Sequence, residues 1–290
     1  MFIHLILIMG SVVFLYPIIY AISVALMTDK TFALHPPTLI PFPAEPVLTN
    51  LKRLFLGVGD KNIKFYFLNS TLRTMWYVGI ALASSLVGGY VFGRMKFRGR
   101  NFIFYMLLAS VMLPRVISLV PTYVMMARFP LVGGNNILGQ GGNGFIDKFS
   151  VLFILQLINY LGIFLVRQSM LSSPIELEEA ARVDGAGILQ IIFKIVGPIN
   201  KPILAYIGII TGLAIWNDWF IPFLYIRNDR YQVLASAISR MTAVATGQYG
   251  IPDWPWIITL GLGLTFPVLI LFIFFQRHIV EGLKSAAVKG

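Results

Sequence analysis

The sequence predicts an all-α polytopic membrane protein, and three observations carry that prediction. Apolar residues make up 57% of its 290 residues and charged ones only 12%, with a mean hydropathy of +0.79, outside the range of ordinary water-soluble domains. Six apolar runs, at roughly Phe2–Met27, Leu72–Gly93, Phe102–Met125, Ser150–Val166, Pro202–Ile226 and Trp256–Phe275, each approach the ~20 residues that cross a bilayer as helix. None of them alternates with period two, which excludes a β-barrel.

The first run has no Lys or Arg ahead of it and is longer than the ~7–15 residues of a secretory core, so it reads as a retained helix. Asp29 to Ser70 begins with Pro36, Pro37, Pro41, Pro43 and Pro46 and turns amphipathic at Leu51–Leu56, an extended stretch followed by a short surface helix. Pro114, Pro121, Pro222 and Pro267 lie inside apolar runs, where neighbouring helices can satisfy the freed backbone groups. Gly133 to Gly144 reads as a turn region, and no separate soluble domain stands apart from a single transmembrane domain over residues 1–290. Trp76, Trp216, Trp219, Trp254 and Trp256 fall near span ends, where interfacial anchoring and core packing are equal alternatives.

An even number of spans puts both termini on one side. Arg94, Lys96, Arg98 and Arg100 fall within seven residues, and that density assigns their turn and the termini to the cytoplasm. The net charge of +11 is scattered over short loops instead of forming one basic face, which argues against nucleic acid. There is no cysteine, so disulfides and thiolate chemistry are excluded. His4, His35 and His278 are too far apart for a metal motif, and no H-E-x-x-H or G-x-S-x-G supports an embedded hydrolase. Met106, Met112, Met125 and Met126 read as adaptable packing.

The most informative stretch runs from Ser172 to Pro198, between the fourth and fifth runs. Ser173 and Glu176 have capping-box spacing with Pro174 at the first helical position, and Glu178 and Arg182 are one turn apart. Asp184-Gly185 should end that helix, and a second short one should carry Ile188, Leu189, Ile191, Ile192 and Ile195. Such a hairpin, with small Ala180 and Ala181 and acids on its rim, is shaped to dock in a groove of another protein. The plainer alternative is an amphipathic loop lying on the bilayer.

Glu179-Ala180-Ala181, followed by Gly185, Ile195 and Pro198, resembles the EAA loop of ABC importer membrane subunits. One departure stands out: the family has Leu before that proline, and this chain has Gly197. The resemblance covers most of the chain and extends to the carbohydrate-uptake branch, relatives of the maltose importer's smaller membrane subunit. Asn69-Ser70, Phe97-Arg98-Gly99-Arg100, Pro114, Pro121, Trp216-Asn217-Asp218, Glu281-Gly282-Leu283 and Val288-Lys289-Gly290 are also similar to that branch. It implies a six-helix bundle in a bacterial or archaeal plasma (inner) membrane. The implied partners are a second homologous membrane subunit, two ATPase subunits and an extracytoplasmic solute-binding protein.

The chain contains no G-x-x-x-x-G-K-[ST], so it cannot hold a nucleotide by that device. By resemblance, then, the chain is a transport subunit and not an enzyme, and it carries no cofactor; ATP and Mg belong to the ATPase subunits. Glu178, Glu179, Ala180, Ala181, Asp184, Gly185, Ile195 and Pro198 are the expected coupling residues, with Glu179 facing a basic partner and Gly185 permitting the turn.

Charged groups within spans are expensive and draw attention to Arg115 and Asp218. Counted at ~1.5 Å per residue from Asn101 and Pro202, they sit at about 21 and about 24 Å, a similar depth at which they could pair. The alternative is that Asp218 caps or closes an outer gate while Arg115 snorkels. Together with Trp216 and Asn217 they are the candidate path or gate residues. Trp216, Trp219 and Tyr225 could stack on sugar rings or anchor at the lipid interface. Arg115 and basic outer loops would favour an acidic sugar, such as a uronate oligosaccharide of the alginate or pectin type. An ion-coupled secondary transporter is the rival reading, but it calls for several intramembrane acids, and Asp218 stands alone.

Overall fold

The computed structural model describes residues 2–34, 43, 45–57, 62–246 and 253–287. In chain order the helices are α1 (Phe2–Ala25), α2 (Asp29–Leu34), α3 (Thr49–Leu56), α4 (Ile63–Arg94), α5 (Arg100–Met112), α6 (Arg115–Ala127), α7 (Val151–Ile154) and α8 (Tyr160–Ser172). They continue as α9 (Glu176–Val183), α10 (Ile188–Ile191), α11 (Gly197–Ile199), α12 (Lys201–Trp216), α13 (Phe220–Tyr225), α14 (Leu234–Thr246) and α15 (Trp254–Ala287). A π-helical stretch, Ile192–Val196, joins α10 to α11, and no strand occurs among the described residues. The chain divides into two compact units, residues 1–70 with 222–271 and residues 71–221 with 272–290.

The apolar runs do not all become straight spans. Among the described residues α1, α4 and the first part of α15 are long and apolar enough to cross a membrane, and two bent pairs raise the number to five. The run Phe102–Met125 bends by 101° between α5 and α6. Pro114 causes this: it has no N–H to donate and forces Leu113 to extended backbone at ψ 122°. Ser150–Val166 becomes α7 and the start of α8, because Asn159 takes an extended backbone and its side chain accepts from the Gly162 N–H. Pro202–Ile226 is broken at Asn217–Trp219, between α12 and α13.

In the first unit, α1 is apolar on every side and its span is uncovered by protein, as expected of a helix solvated by lipid. Only its end is packed. The Asn50 amide of α3 donates to the Ala25 carbonyl at 3.2 Å and the Met27 carbonyl at 2.9 Å, satisfying groups that a helix C-terminus leaves open. The amphipathic segment read at Leu51–Leu56 is α3, whose Leu54 joins Ile63, Tyr66, Leu234, Ala237, Trp256 and Leu260 in the core. Asn69 donates to the Arg230 and Gln232 carbonyls, both at 2.9 Å, and Ser70 Oγ accepts from the Leu234 N–H at 2.9 Å. The Asn69-Ser70 pair thus holds the start of α14.

In the second unit, α4 packs on α8 along a ridge of small residues, Ser85, Gly89 and Gly93, each four apart. A Cβ on Gly93 would come within 2.9 Å of Met170 Cβ, and one on Gly89 would collide with Val166. Tyr90, Val166, Met170, Ile191, Ile192 and Val196 fill the core beside this ridge. The same core therefore seats both α8 and the apolar stretch Ile191–Val196.

Candidate functional site

Residues 173–196 form the hairpin, and its turn is a Schellman motif. The Ala186 N–H donates to the Ala181 carbonyl at 2.9 Å and the Gly185 N–H to the Arg182 carbonyl at 3.0 Å, with Gly185 at φ +81°. The left-handed backbone explains glycine there, since any Cβ would strain it. Two local expectations are corrected. No capping box forms: Ser173 Oγ donates to the Ser169 carbonyl at 2.8 Å, and the helix starts only at Glu176, with no side-chain cap. Nor do Glu178 and Arg182 form the expected ion pair.

Tertiary partners replace that pair. Glu178, whose side chain is 2% exposed, accepts from Arg94 Nε at 2.8 Å, and Arg94 also donates to the Ser173 carbonyl at 2.8 Å. Arg182 donates to the Tyr90 hydroxyl at 3.0 Å. Both anchors, Tyr90 and Arg94, stand one turn apart on α4, so the hairpin is bound to one face of that helix. Glu178 Oε2 is buried without a partner, which leaves a single charged hydrogen bond holding the acid. Glu179, Ala180, Asp184, Gly185 and Pro198 are exposed, Ala181 and Ile195 half-buried. Glu178 therefore faces inward, and the exposed acids of the hairpin are Glu176, Glu179 and Asp184.

At the break between α12 and α13, Asp218 accepts from Arg73 of α4 at 2.5 Å and from the Ile221 N–H at 3.3 Å. Arg73 is nearly enclosed, its side chain 3% exposed against 20% for Asp218, and it also donates to the Asp218 carbonyl at 3.4 Å. Arg115 opens α6, and its side chain lies outside the described residues. Trp216 is 8% and Tyr225 1% exposed, whereas Trp219 is exposed. Asn217 is exposed and donates to the Leu213 carbonyl at 2.9 Å.

The sequence reading does not single out Arg73 or Arg94 as site residues: Arg73 stands at the edge of the second run, Leu72–Gly93, and Arg94 just past its other end. Their signal was the length of the helix. Residues 63–71 continue the second run backward as helix, which places Arg73 well inside α4 instead of at its edge.

No profile of a known protein family matches the chain. It is 30% identical over 254 residues to the arabinooligosaccharides transport system permease protein AraQ of Halalkalibacterium halodurans, covering 87% of this chain and 83% of that one. It is 28% identical over 288 residues to the sn-glycerol-3-phosphate transport system permease protein UgpE of Salmonella choleraesuis, covering 98% and 96%. In structure it resembles a chain of a bacterial ABC transporter involved in import of the acidic polysaccharide alginate, with a TM-score of 0.76 at 21% identity over 94% of both chains. A second alginate ABC transporter structure, in complex with a pentasaccharide-bound periplasmic protein, gives a TM-score of 0.62 at 15% identity, covering 96% and 95%. With that coverage, the apolar helices and the α4-bound hairpin, the chain belongs to the family of ABC importer permease subunits of the carbohydrate-uptake branch.

Proposed function

We propose that the hairpin is the EAA coupling element of this subunit and transmits the work of ATPase subunits to the bundle. The observation that carries this reading is the buried Arg94–Glu178 bond, which ties the hairpin to α4 while Glu179 stays free on the rim. ATP and Mg are bound by two ATPase subunits, Glu179 meets a basic residue there, and a push on the hairpin passes through Glu178 into α4. A second membrane subunit completes the path, and a solute-binding protein delivers the substrate from outside. Both termini face the cytoplasm, on the side of the Arg94–Arg100 turn.

The substrate is a sugar or oligosaccharide, and the basic outer residues, including Lys30, Lys52, Arg53 and Lys64, favour an acidic one. Arg115, Trp216, Asn217 and Asp218 lie on the path or gate. Asp218 is already neutralised by Arg73, so it serves as a clamp at the break and not as the free proton carrier that an ion-coupled mechanism demands.

Uptake by the reconstituted importer tests the coupling reading. Glu179→Lys and Gly185→Pro should insert normally and still lose transport; normal uptake with normal ATPase copurification refutes it. For the substrate, the ligand retained by the copurified binding protein decides, and equal uptake of neutral and acidic oligosaccharides, unaffected by Arg115→Gln, removes the acidic assignment.

A further inference from the structure

The turn between α4 and α5 carries Arg94, Lys96, Arg98 and Arg100, and these four cations are not equally engaged. Arg94 is held by Glu178 and the Ser173 carbonyl. Arg100 folds the turn by donating to the Met95 carbonyl at 3.2 Å. Lys96 and Arg98 are exposed, and among the described residues neither is in an ion pair.

A cavity of about 450 Å³ opens at this turn, lined by Lys96, Phe97, Gly99, Arg100, Asn101 and Phe102. Two cations and an amide share it with two aromatic rings. From Phe102 onward α5 carries exposed apolar side chains at helical spacing, Phe102 at 70%, Tyr105 at 64% and Met106 at 58%. Because α5 and α6 together are long and apolar enough for a span, this track lies where acyl chains run. A soluble anion would use the cations and leave the track uncovered. A molecule with a phosphate at one end and hydrocarbon at the other matches both.

We propose that this cavity binds the headgroup phosphate of an anionic phospholipid, with one acyl chain lying along Phe102, Tyr105 and Met106. Lys96 supplies the free charge in the cavity, Arg100 and the Asn101 amide complete the donor set, Arg98 of the same turn adds to the positive field beside it, and the rings of Phe97 and Phe102 cover the glycerol region. Arg94, in the same turn, holds the hairpin, so a lipid seated here steadies the end of α4 to which the hairpin is bound. Binding does not depend on the ATPase reading or on the leaflet the turn faces, so one can fail without the other.

Native mass spectrometry of the purified full-length chain in neutral detergent tests this with phosphatidylglycerol, phosphatidylcholine and inorganic phosphate. Wild type should retain phosphatidylglycerol over phosphatidylcholine. The double variant Lys96→Gln/Arg98→Gln should lose about thirtyfold in affinity for phosphatidylglycerol, and Lys96→Gln alone about fivefold if the double variant does not fold. Lys30→Gln/Lys52→Gln, which removes the same charge elsewhere, should leave affinity unchanged. Equal retention of the two lipids, or an unchanged affinity in the variants, overturns the proposal. Binding of inorganic phosphate that displaces phosphatidylglycerol as well as the lipid itself does would assign the cavity to free phosphate and overturn the lipid source.

Discussion

Two arginines of α4 hold two different acids, and the members of each pair are buried in opposite order. Arg73 and Arg94 are separated by 21 positions, about 31 Å along the helix. In the first pair the cation is the enclosed member, 3% exposed against 20% for Asp218; in the second it is the acid, 2% against 11% for Arg94. One helix thus clamps the break between α12 and α13 near one end and the hairpin at the other. The difference teaches which partner is dangerous to lose, because the cost of breaking a buried pair is set by the charge left behind.

The largest expected effect follows from that rule. Asp218→Ala strands the Arg73 guanidinium, which cannot shed its charge, and should cost about 3–5 kcal/mol of stability. Thermal unfolding of the purified chain measures it, and Arg73→Met/Asp218→Leu should recover most of the loss; a double variant as unstable as the single one would break the comparison. Arg94→Ala leaves Glu178 alone and should cost about 3 kcal/mol, confined to the hairpin. Hydrogen exchange should then rise in residues 174–186 while that of α1 stays unchanged, and a uniform rise along the chain would contradict a local clamp. Gly89→Val, which crowds α4 against Val166 without touching either pair, should cost about 1–3 kcal/mol in the same unfolding experiment.

An exposed pair in the first unit sets the lower limit. Arg53 and Asp253 lie 3.2 Å apart with side chains 29% and 36% exposed, so the bond itself contributes little. Its neighbour Asp29 has a carboxyl raised from 3.8 to about 6, by partial desolvation first, then by the hydrogen bond and charge of Asp253, with Arg53 opposing. A raised acid holds its proton in the folded state after the unfolded chain has lost it, so stability falls as pH rises from about 4 to about 6. Asp29→Asn should flatten that dependence, and an unfolding midpoint that tracks pH as in wild type would refute it.

Much of the hairpin was legible because its stop signal is local. Asp184-Gly185 fixes a left-handed turn within a few residues, and the structure has it there at φ +81°. The start was misread because Ser173 can bond backward to Ser169 as readily as forward, and the preceding helix α8 captures it. The Glu178–Arg182 pairing failed for a similar reason. Spacing on one helix offers an exposed pair of a few tenths of a kcal/mol, whereas Arg94 and Tyr90 of α4 offer both side chains part-buried tertiary partners.

The sequence by itself determined that this chain is helical and lies in a membrane, because the length and apolarity of its runs are properties of consecutive residues. It also determined where the hairpin turns. Only the tertiary structure decided that Arg73 meets Asp218, that Glu178 faces inward, and that the fourth and fifth runs are interrupted. Those choices depend on which groups are brought together from residues 84 and 145 positions apart, and a buried charge takes whichever partner the packing delivers.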